Sequence, residues 1–502
     1  MNKEKLTHAA VAIFALGAVV STLAEGTTAT PIPEPRMKAY LYHNYGSPNV
    51  LRIEEVTKPV PKDDQVLVKV RAVSLNPLDW HYMRGKPYLI RAFDSGLLRP
   101  TNPRLGVDLS GEVEAVGKKV TDFKPGDNVF GHRYGAFAEY ICATEKALVF
   151  KPSNVSFEEA AAVPIAGVTA LQGLRDKGQL KRGQKVLING ASGGVGTFAV
   201  QIAKALGADV TGVCSTRNID LVRSLGADHV IDYTKEDFTK NGQRYDLILD
   251  MVSSHPLSEM RKVMTPHGAL VLVGSTDVGD WLKPLGIMLK PAVAGFFGSQ
   301  KFGSLLAEIT KENLNALREL MQTGKLKPVI DRTYTFGQLP DAMRYLEEGH
   351  TRGKVVVTVS AGDEALPVNV TSKAQPVNTT WFVFLVGAII VLVLTLPLVA
   401  ALALNRRYQH LNPGKRPYRW GYYFSILAVI DGLVLGYILE AGLGVFVICA
   451  LLYGVLAWFF AQRRHWAWIA LTLLSFNPVI WVVNLVYLWK RWTEPTAGAR
   501  IL

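Results

Sequence analysis

Cysteine is almost absent from these 502 residues: only Cys142, Cys214 and Cys449 occur. Three scattered thiols make no disulfide framework and no cysteine-rich zinc site. Cys449 sits in an apolar run and reads as a small packed residue. Acidic residues are also few, 42 against 55 Lys and Arg, which leaves a net charge of +13. From residue 381 onward, ten Lys and Arg face only Asp431, Glu440 and Glu494. About half of the excess therefore lies beside apolar runs, which suits membrane-flanking loops better than nucleic acid. No earlier stretch interleaves basic and aromatic residues, so no nucleic-acid partner is expected.

What is present is a glycine turn. Residues 189–196 read N-G-A-S-G-G-V-G, between the apolar run 185–188 and a helical pattern from Thr197. Gly190, Gly193 and Gly196 are spaced three apart. The first permits a tight turn, the second lets backbone approach a pyrophosphate, and the third lets helix pack on strand. The helix N-terminus then attracts phosphates. The bland alternative is a glycine-rich turn in a cofactor-free α/β domain.

Around this turn the chain divides. Residues 1–30, with Lys3 and Lys5 before an apolar stretch, read as a signal peptide or a signal anchor. Residues 37–149 alternate strand-like runs with turn signals and predict an all-β unit. From about residue 156, helix and strand alternate. Strands are predicted at 185–189, 209–214, 229–232, 246–250 and 269–273, which implies a parallel, doubly wound sheet. A helical stretch covers 305–323, and a strand from Lys354 follows. The polar segment 361–380, with Pro367 and Pro376, reads as a linker. Beyond it, apolar stretches at 381–404, 420–461 and 466–489 suggest four membrane helices, because roughly 20 residues cross a bilayer. Aromatic residues such as Trp420, Trp466 and Trp489 stand near their ends, as interfacial belts do.

Several motifs carry a resemblance. They are Asn76-Pro-Leu-Asp79, Gly106 to Gly111 (G-V-D-L-S-G), Gly126-Asp-Asn-Val, Gly135 to Tyr140 (G-A-F-A-E-Y), Gly167-Val-Thr-Ala, the glycine turn, and Leu225 to Asp232 (L-G-A-D-H-V-I-D). Residues 37–359 resemble the zinc-independent quinone oxidoreductases of the medium-chain dehydrogenase/reductase superfamily. The resemblance implies a GroES-like β-barrel over 37–160, with 325–360 returning to it. It implies a Rossmann domain over 161–324 and an active site in the cleft between them. The 381–492 segment, expected as an all-α transmembrane bundle, lies outside that pattern. By the same resemblance Ser192, Gly194, Val195, Ser215 and Tyr233 contact the cofactor, Gly274 lies beside the nicotinamide, and Thr169 lies near it.

A NAD-selective site places an acid at the end of its second strand. Here strand 209–214 is followed by Ser215-Thr-Arg217-Asn, and the first carboxylate is Asp220. Hydroxyls and a guanidinium suit a 2′-phosphate, so NADPH is expected. The alternative for Arg217 is an exposed helix-start residue with no ligand. No metal is expected: the zinc-dependent branch carries a cysteine where Asn76 stands, and His81 and His132 are isolated.

The resemblance implies hydride transfer to a quinone or to the C=C bond of an enone, which leaves charge on an oxygen. Asn76 and Tyr82 are the candidates to line that site. Asn76 also reads as a turn residue before Pro77. Asp79 reads as structural, and Arg84 either way. Phe296-Phe297 read as an apolar lid or as core. The expected localisation is a multi-pass membrane protein in contact with the bilayer, the side of the reductase unit being left open, and a homodimer is allowed for. The competing function is a catalytically silent cofactor sensor or scaffold.

Overall fold

The computed structural model describes residues 35–91, 95–274 and 299–360. The expected leader, the linker, the 381–492 segment, Cys449 and Phe296-Phe297 all lie outside the described residues.

The chain opens with β1 (Arg36–Leu41), β2 (Arg52–Thr57), β3 (Gln65–Ser74), β4 (Asp108–Val116), β5 (Asn128–His132), β6 (Tyr140–Thr144) and β7 (Leu148–Phe150). β1 and β2 form an antiparallel pair. The others build one seven-stranded sheet with β14 (Ile330–Thr335) and β15 (Lys354–Thr358), in the order β14-β15-β3-β4-β5-β7, with β6 on β3. The return of the C-terminal strands is thus a pairing of β15 with β3, Val357 opposite Val73. Alternation drives these strands inward. Val66, Val68, Val70, Leu109, Phe137, Leu148 and Val357 form their common core. The unit is not wholly β: a helix, Pro77–Arg84, follows β3. Pro77 starts it where a missing N–H costs nothing, and Gly85 ends it at φ 59.

The second sheet is parallel and six-stranded. It holds β8 (Lys185–Asn189), β9 (Asp209–Cys214), β10 (His229–Asp232), β11 (Tyr245–Asp250), β12 (Met264–Leu272) and β13 (Lys301–Ser304) in the order β10-β9-β8-β11-β12-β13. Numbered from its own first strand, this is 3-2-1-4-5-6, the order of a Rossmann sheet. Strands buried on both faces read as continuous apolar runs; Val186, Leu187 and Ile188 are all fully buried. The helix Gly194–Ala205 packs Phe198, Ile202 and Ala203 on the sheet. β12 is longer than the predicted 269–273, since Thr265, Pro266 and Gly268 read as breakers but are absorbed by a register irregularity against β11. The predicted helix 305–323 shortens to Lys311–Gln322, because Thr310 caps it by accepting the Asn313 N–H.

The expected four-helix membrane bundle, over 381–492, lies outside the described residues. Among the described residues no helix is long and apolar enough to cross a membrane. Two of the longest helices, Gly194–Ala205 and Lys311–Gln322, have 12 residues each. At 1.5 Å per residue that is about 18 Å, against a hydrocarbon core of about 30 Å.

Candidate functional site

In a sheet of this order ligands bind where the strand order reverses, outside the carboxyl ends of the two central strands. Those ends are Asn189 on β8 and Asp250 on β11. Their side chains meet: Asn189 Nδ2 donates to Asp250 Oδ1 at 2.9 Å. The same oxygen accepts the N–H groups of Val252 and Ser253, each at 2.9 Å. Asp250 therefore shapes the loop after β11, where Ser253 sits at φ 57 and its hydroxyl donates to the Gly274 carbonyl at 2.7 Å. Burial raises the Asp250 carboxyl above its ordinary range, while the bonds from Ser253, Val252 and Asn189 oppose it.

The three glycines do different work. Gly190 has φ 91, where a side chain would be strained. A Cβ on Gly196 would lie 2.1 Å from the Gly190 carbonyl oxygen. A Cβ on Gly193 would meet nothing of the protein closer than 3.4 Å. Gly193 caps the helix without a side chain. The first N–H groups of that helix, those of Gly194 and Val195 among them, have no intrahelical acceptor. The result is an open cradle of donors suited to a pyrophosphate.

Beside it, at the end of β9, the structure gathers Ser192, Ser215, Arg217 and Tyr233. Asn218 Nδ2 donates to Ser192 Oγ at 3.0 Å and Ser215 Oγ at 3.2 Å. Arg217 donates to the His350 carbonyl at 3.0 Å, and Arg352 reaches the Arg217 carbonyl at 3.5 Å. Both guanidinium groups are exposed. The nearby carboxylate on β10, Asp232, is engaged by the Thr216 and Thr234 hydroxyls, which hold it down at about 2. Tyr233 is 62% exposed, a flat wall for a base. Thr169 is buried on the helix Pro164–Leu171.

Asn76 lies at the other wall and is buried. Its Nδ2 donates to Ser74 O at 3.3 Å and Asp108 Oδ2 at 2.9 Å, and its Oδ1 accepts from Lys354 Nζ at 2.6 Å. Both of its donors are thus committed within the protein. Asp79 accepts the N–H groups of Asn76 at 2.7 Å and Gly106 at 3.2 Å. Tyr82 is half-buried, its ring 6.0 Å from that of Tyr134. Arg84 makes a two-point ion pair with Glu347 at 2.7 and 2.9 Å, so its role is structural. Asn218, Asp250, Arg352, Asp108 and Lys354 escape a reading of the sequence. Only the topology brings them to the cleft.

Burial is the first cause of two raised carboxyls here, Asp79 at about 7 and Asp108 at about 6. An unfolded aspartate titrates near about 4. The folded state therefore holds protons that the unfolded chain releases. This contribution to stability is complete below about pH 4 and is lost as pH rises through about 6 and 7, a change on the order of a few kcal/mol. The thermal midpoint should fall across that window, and Asp79→Asn should flatten the fall. Equal slopes in the two proteins would exclude the raised carboxyl as its cause.

Zinc does not fit the described residues. Among the described residues no three of His, Cys, Asp and Glu are grouped to hold a metal. His81 Nδ1 is bonded to the Lys86 carbonyl at 2.9 Å, and burial lowers both His81 and His132.

Two known families match the chain: the one described as "Alcohol dehydrogenase GroES-like domain" over residues 62–153, and "Zinc-binding dehydrogenase" over residues 225–357. The chain is 38% identical to the chloroplastic quinone-oxidoreductase QR1 of Triphysaria versicolor, over 64% of this chain and 98% of that protein. It is 35% identical to the chloroplastic NADPH-dependent alkenal/one oxidoreductase of Arabidopsis thaliana, over 66% and 81%. The structure of the quinone oxidoreductase from Coxiella burnetii superposes with a TM-score of 0.57 at 31% identity, covering 65% of this chain and all of that one. These relatives also correct the expected multi-pass membrane localisation. The Triphysaria versicolor and Arabidopsis thaliana proteins are named as chloroplastic, and no described helix could span a bilayer. The GroES-like unit, the Rossmann sheet and the near-complete cover of the relatives agree, and the chain belongs to the quinone-oxidoreductase-like family of the medium-chain dehydrogenase/reductase superfamily, a family of oxidoreductases.

Proposed function

We propose that this chain is an NADPH-dependent reductase of quinones or activated enones that works without a metal. One observation carries the reading: Gly193, at the sheet's switch point, leaves space and backbone donors that no protein atom fills. Gly190, Gly193, Gly194, Val195 and Gly196 would hold the pyrophosphate. Ser192, Ser215, Arg217 and Tyr233 would hold the adenosine end, with Thr169 and Gly274 toward the nicotinamide. The division supported by the pairing of β15 with β3 is a GroES-like unit over 37–160 and 325–360 around a Rossmann unit over 161–324.

NADPH, when bound, supplies a hydride. The chain must place the accepting carbon against it, exclude water and stabilise the charge that appears on the substrate oxygen. Two electrons arrive with the hydride, and one proton from solvent completes a hydroquinone or a saturated ketone. Asn76 has spent its donors, so the Tyr82 phenol is the side chain assigned to that oxygen, with Asn76 holding the wall behind it. Tyr82→Phe should lower kcat about tenfold or more while leaving NADPH affinity in place. An unchanged kcat would remove Tyr82 from the role.

The reading is tested by following NADPH oxidation with a panel of quinones and enones. Turnover supports it. Tight NADPH binding with no turnover on any acceptor would favour the silent sensor.

A further inference from the structure

Lys354 opens β15, a strand otherwise made of apolar and hydroxyl side chains, and is only 3% exposed. A buried ammonium normally seeks a carboxylate at contact distance. This one has Asp108, whose Oδ2 lies 3.8 Å away in a buried ion pair, but its closest acceptors are neutral, Asn76 Oδ1 at 2.6 Å and Leu75 O at 3.0 Å. The stem of the same side chain faces the other half of the cleft. A Cβ on Gly194 would lie 3.3 Å from Lys354 Cδ, and 3.6 Å from the Gly353 carbonyl oxygen. One side chain therefore bonds to the residue ahead of the Pro77–Arg84 helix and lies beside the first residue of the helix that cradles phosphates.

The rest of the cluster extends the link. Asp108 Oδ1 accepts the Ile165 N–H at 3.0 Å, in the first turn of the helix that carries Thr169. Its other oxygen accepts from Asn76. Asp79 ties Asn76 to Gly106. Three buried ionisable groups and one carboxamide thus join β4, β15 and two helices, with the start of a third helix beside the lysine stem.

We propose that Lys354 is a positioning residue for hydride transfer: it locks the Asn76 carboxamide while its stem fixes the Gly194 helix terminus, and so sets the distance between substrate wall and cofactor. This rests on the proposed NADPH site. Removing one partner of a buried charge cluster leaves the others uncompensated and destabilises. A positioning role must therefore be separated from mere neutralisation of Asp108.

The full chain should be compared as wild type, Lys354→Met, and Lys354→Met with Asp108→Asn. Three quantities are read: the thermal midpoint, NADPH affinity by titration, and the single-turnover rate of NADPH oxidation by a soluble quinone. Lys354→Met should bind NADPH within about threefold of wild type, leave the quinone KM little changed and lose about tenfold or more in rate. The double variant should regain the thermal midpoint and not the rate, because Asn76 still lacks its donor. A rate within twofold of wild type in Lys354→Met, or a rate that recovers together with the midpoint, overturns the inference. If Lys354→Met does not fold, the double variant alone decides. A wild-type chain that fails to bind NADPH brings down the proposed site, and this inference with it.

Discussion

Gly193→Val should abolish measurable NADPH binding and leave the fold standing. Nothing of the protein lies closer than 3.4 Å to a Cβ at this position, so the folded state accommodates a side chain there. Its backbone sits at φ −81 and ψ −179, an extended conformation open to any residue. The side chain would fill the space in front of the helix N-terminus instead. A pyrophosphate held there accepts charge-assisted bonds from several N–H groups, each worth about 1.5–3 kcal/mol, and losing two or more means roughly a hundredfold weaker binding at least. Gly196→Val is the opposing control. Its Cβ would stand 2.1 Å from a backbone oxygen of the same turn, so strand and helix must separate. That variant should lose the cooperative thermal transition. The pair of outcomes distinguishes a glycine kept for a ligand from one kept for packing. If Gly193→Val bound NADPH as tightly as wild type by fluorescence titration, the cradle would have to be sought elsewhere.

The contrast between these two glycines was legible only in part. Their spacing, and the strand and helix around them, are local features of sequence, and local order is what periodicity reports. The parallel, doubly wound sheet follows from repeated β-α units, and the Rossmann domain from the family resemblance. What the spacing could not tell was which glycine meets protein and which meets ligand, since that depends on the Gly190 carbonyl folding back toward Gly196. The lines joining the cleft are longer still. Asn76 and Lys354 are 278 residues apart, Asn189 and Asp250 are 61 apart. No pattern in a single sequence registers such a pairing. Lys354 in particular reads only as the first residue of a strand, and nothing in the valines after it reports that it is buried. Asn76 reads either as a site-lining donor or as a turn residue before Pro77, and the structure keeps it at the cleft wall with its amide turned to Asp108. Arg352 lies in a loop whose relation to Arg217 exists only once β15 has returned to the first sheet.

That last contact leads to the second large effect, on the choice between NADPH and NADH. Two arginines are linked near the end of β9, Arg217 donating to the His350 carbonyl and Arg352 to the Arg217 carbonyl, and the turn after β9 carries hydroxyls in place of an acid. Asp232 is the closest rival, but its oxygens are taken by Thr216 and Thr234. A doubly charged phosphate there would draw charge-assisted bonds from both guanidinium groups. Replacing both, Arg217→Asp with Arg352→Ser, removes two charge-assisted contacts and sets a carboxylate against the 2′-phosphate. NADPH affinity should fall about a hundredfold or more. NADH carries a hydroxyl in that place, which a carboxylate accepts well. Its affinity should hold or improve, because the pyrophosphate cradle is untouched. The ratio of the two dissociation constants, measured on one protein preparation, is therefore the sensitive quantity. A ratio that stays with NADPH after both substitutions would mean that neither guanidinium meets the phosphate, and would return Arg217 to its plain reading as an exposed residue at the start of a helix.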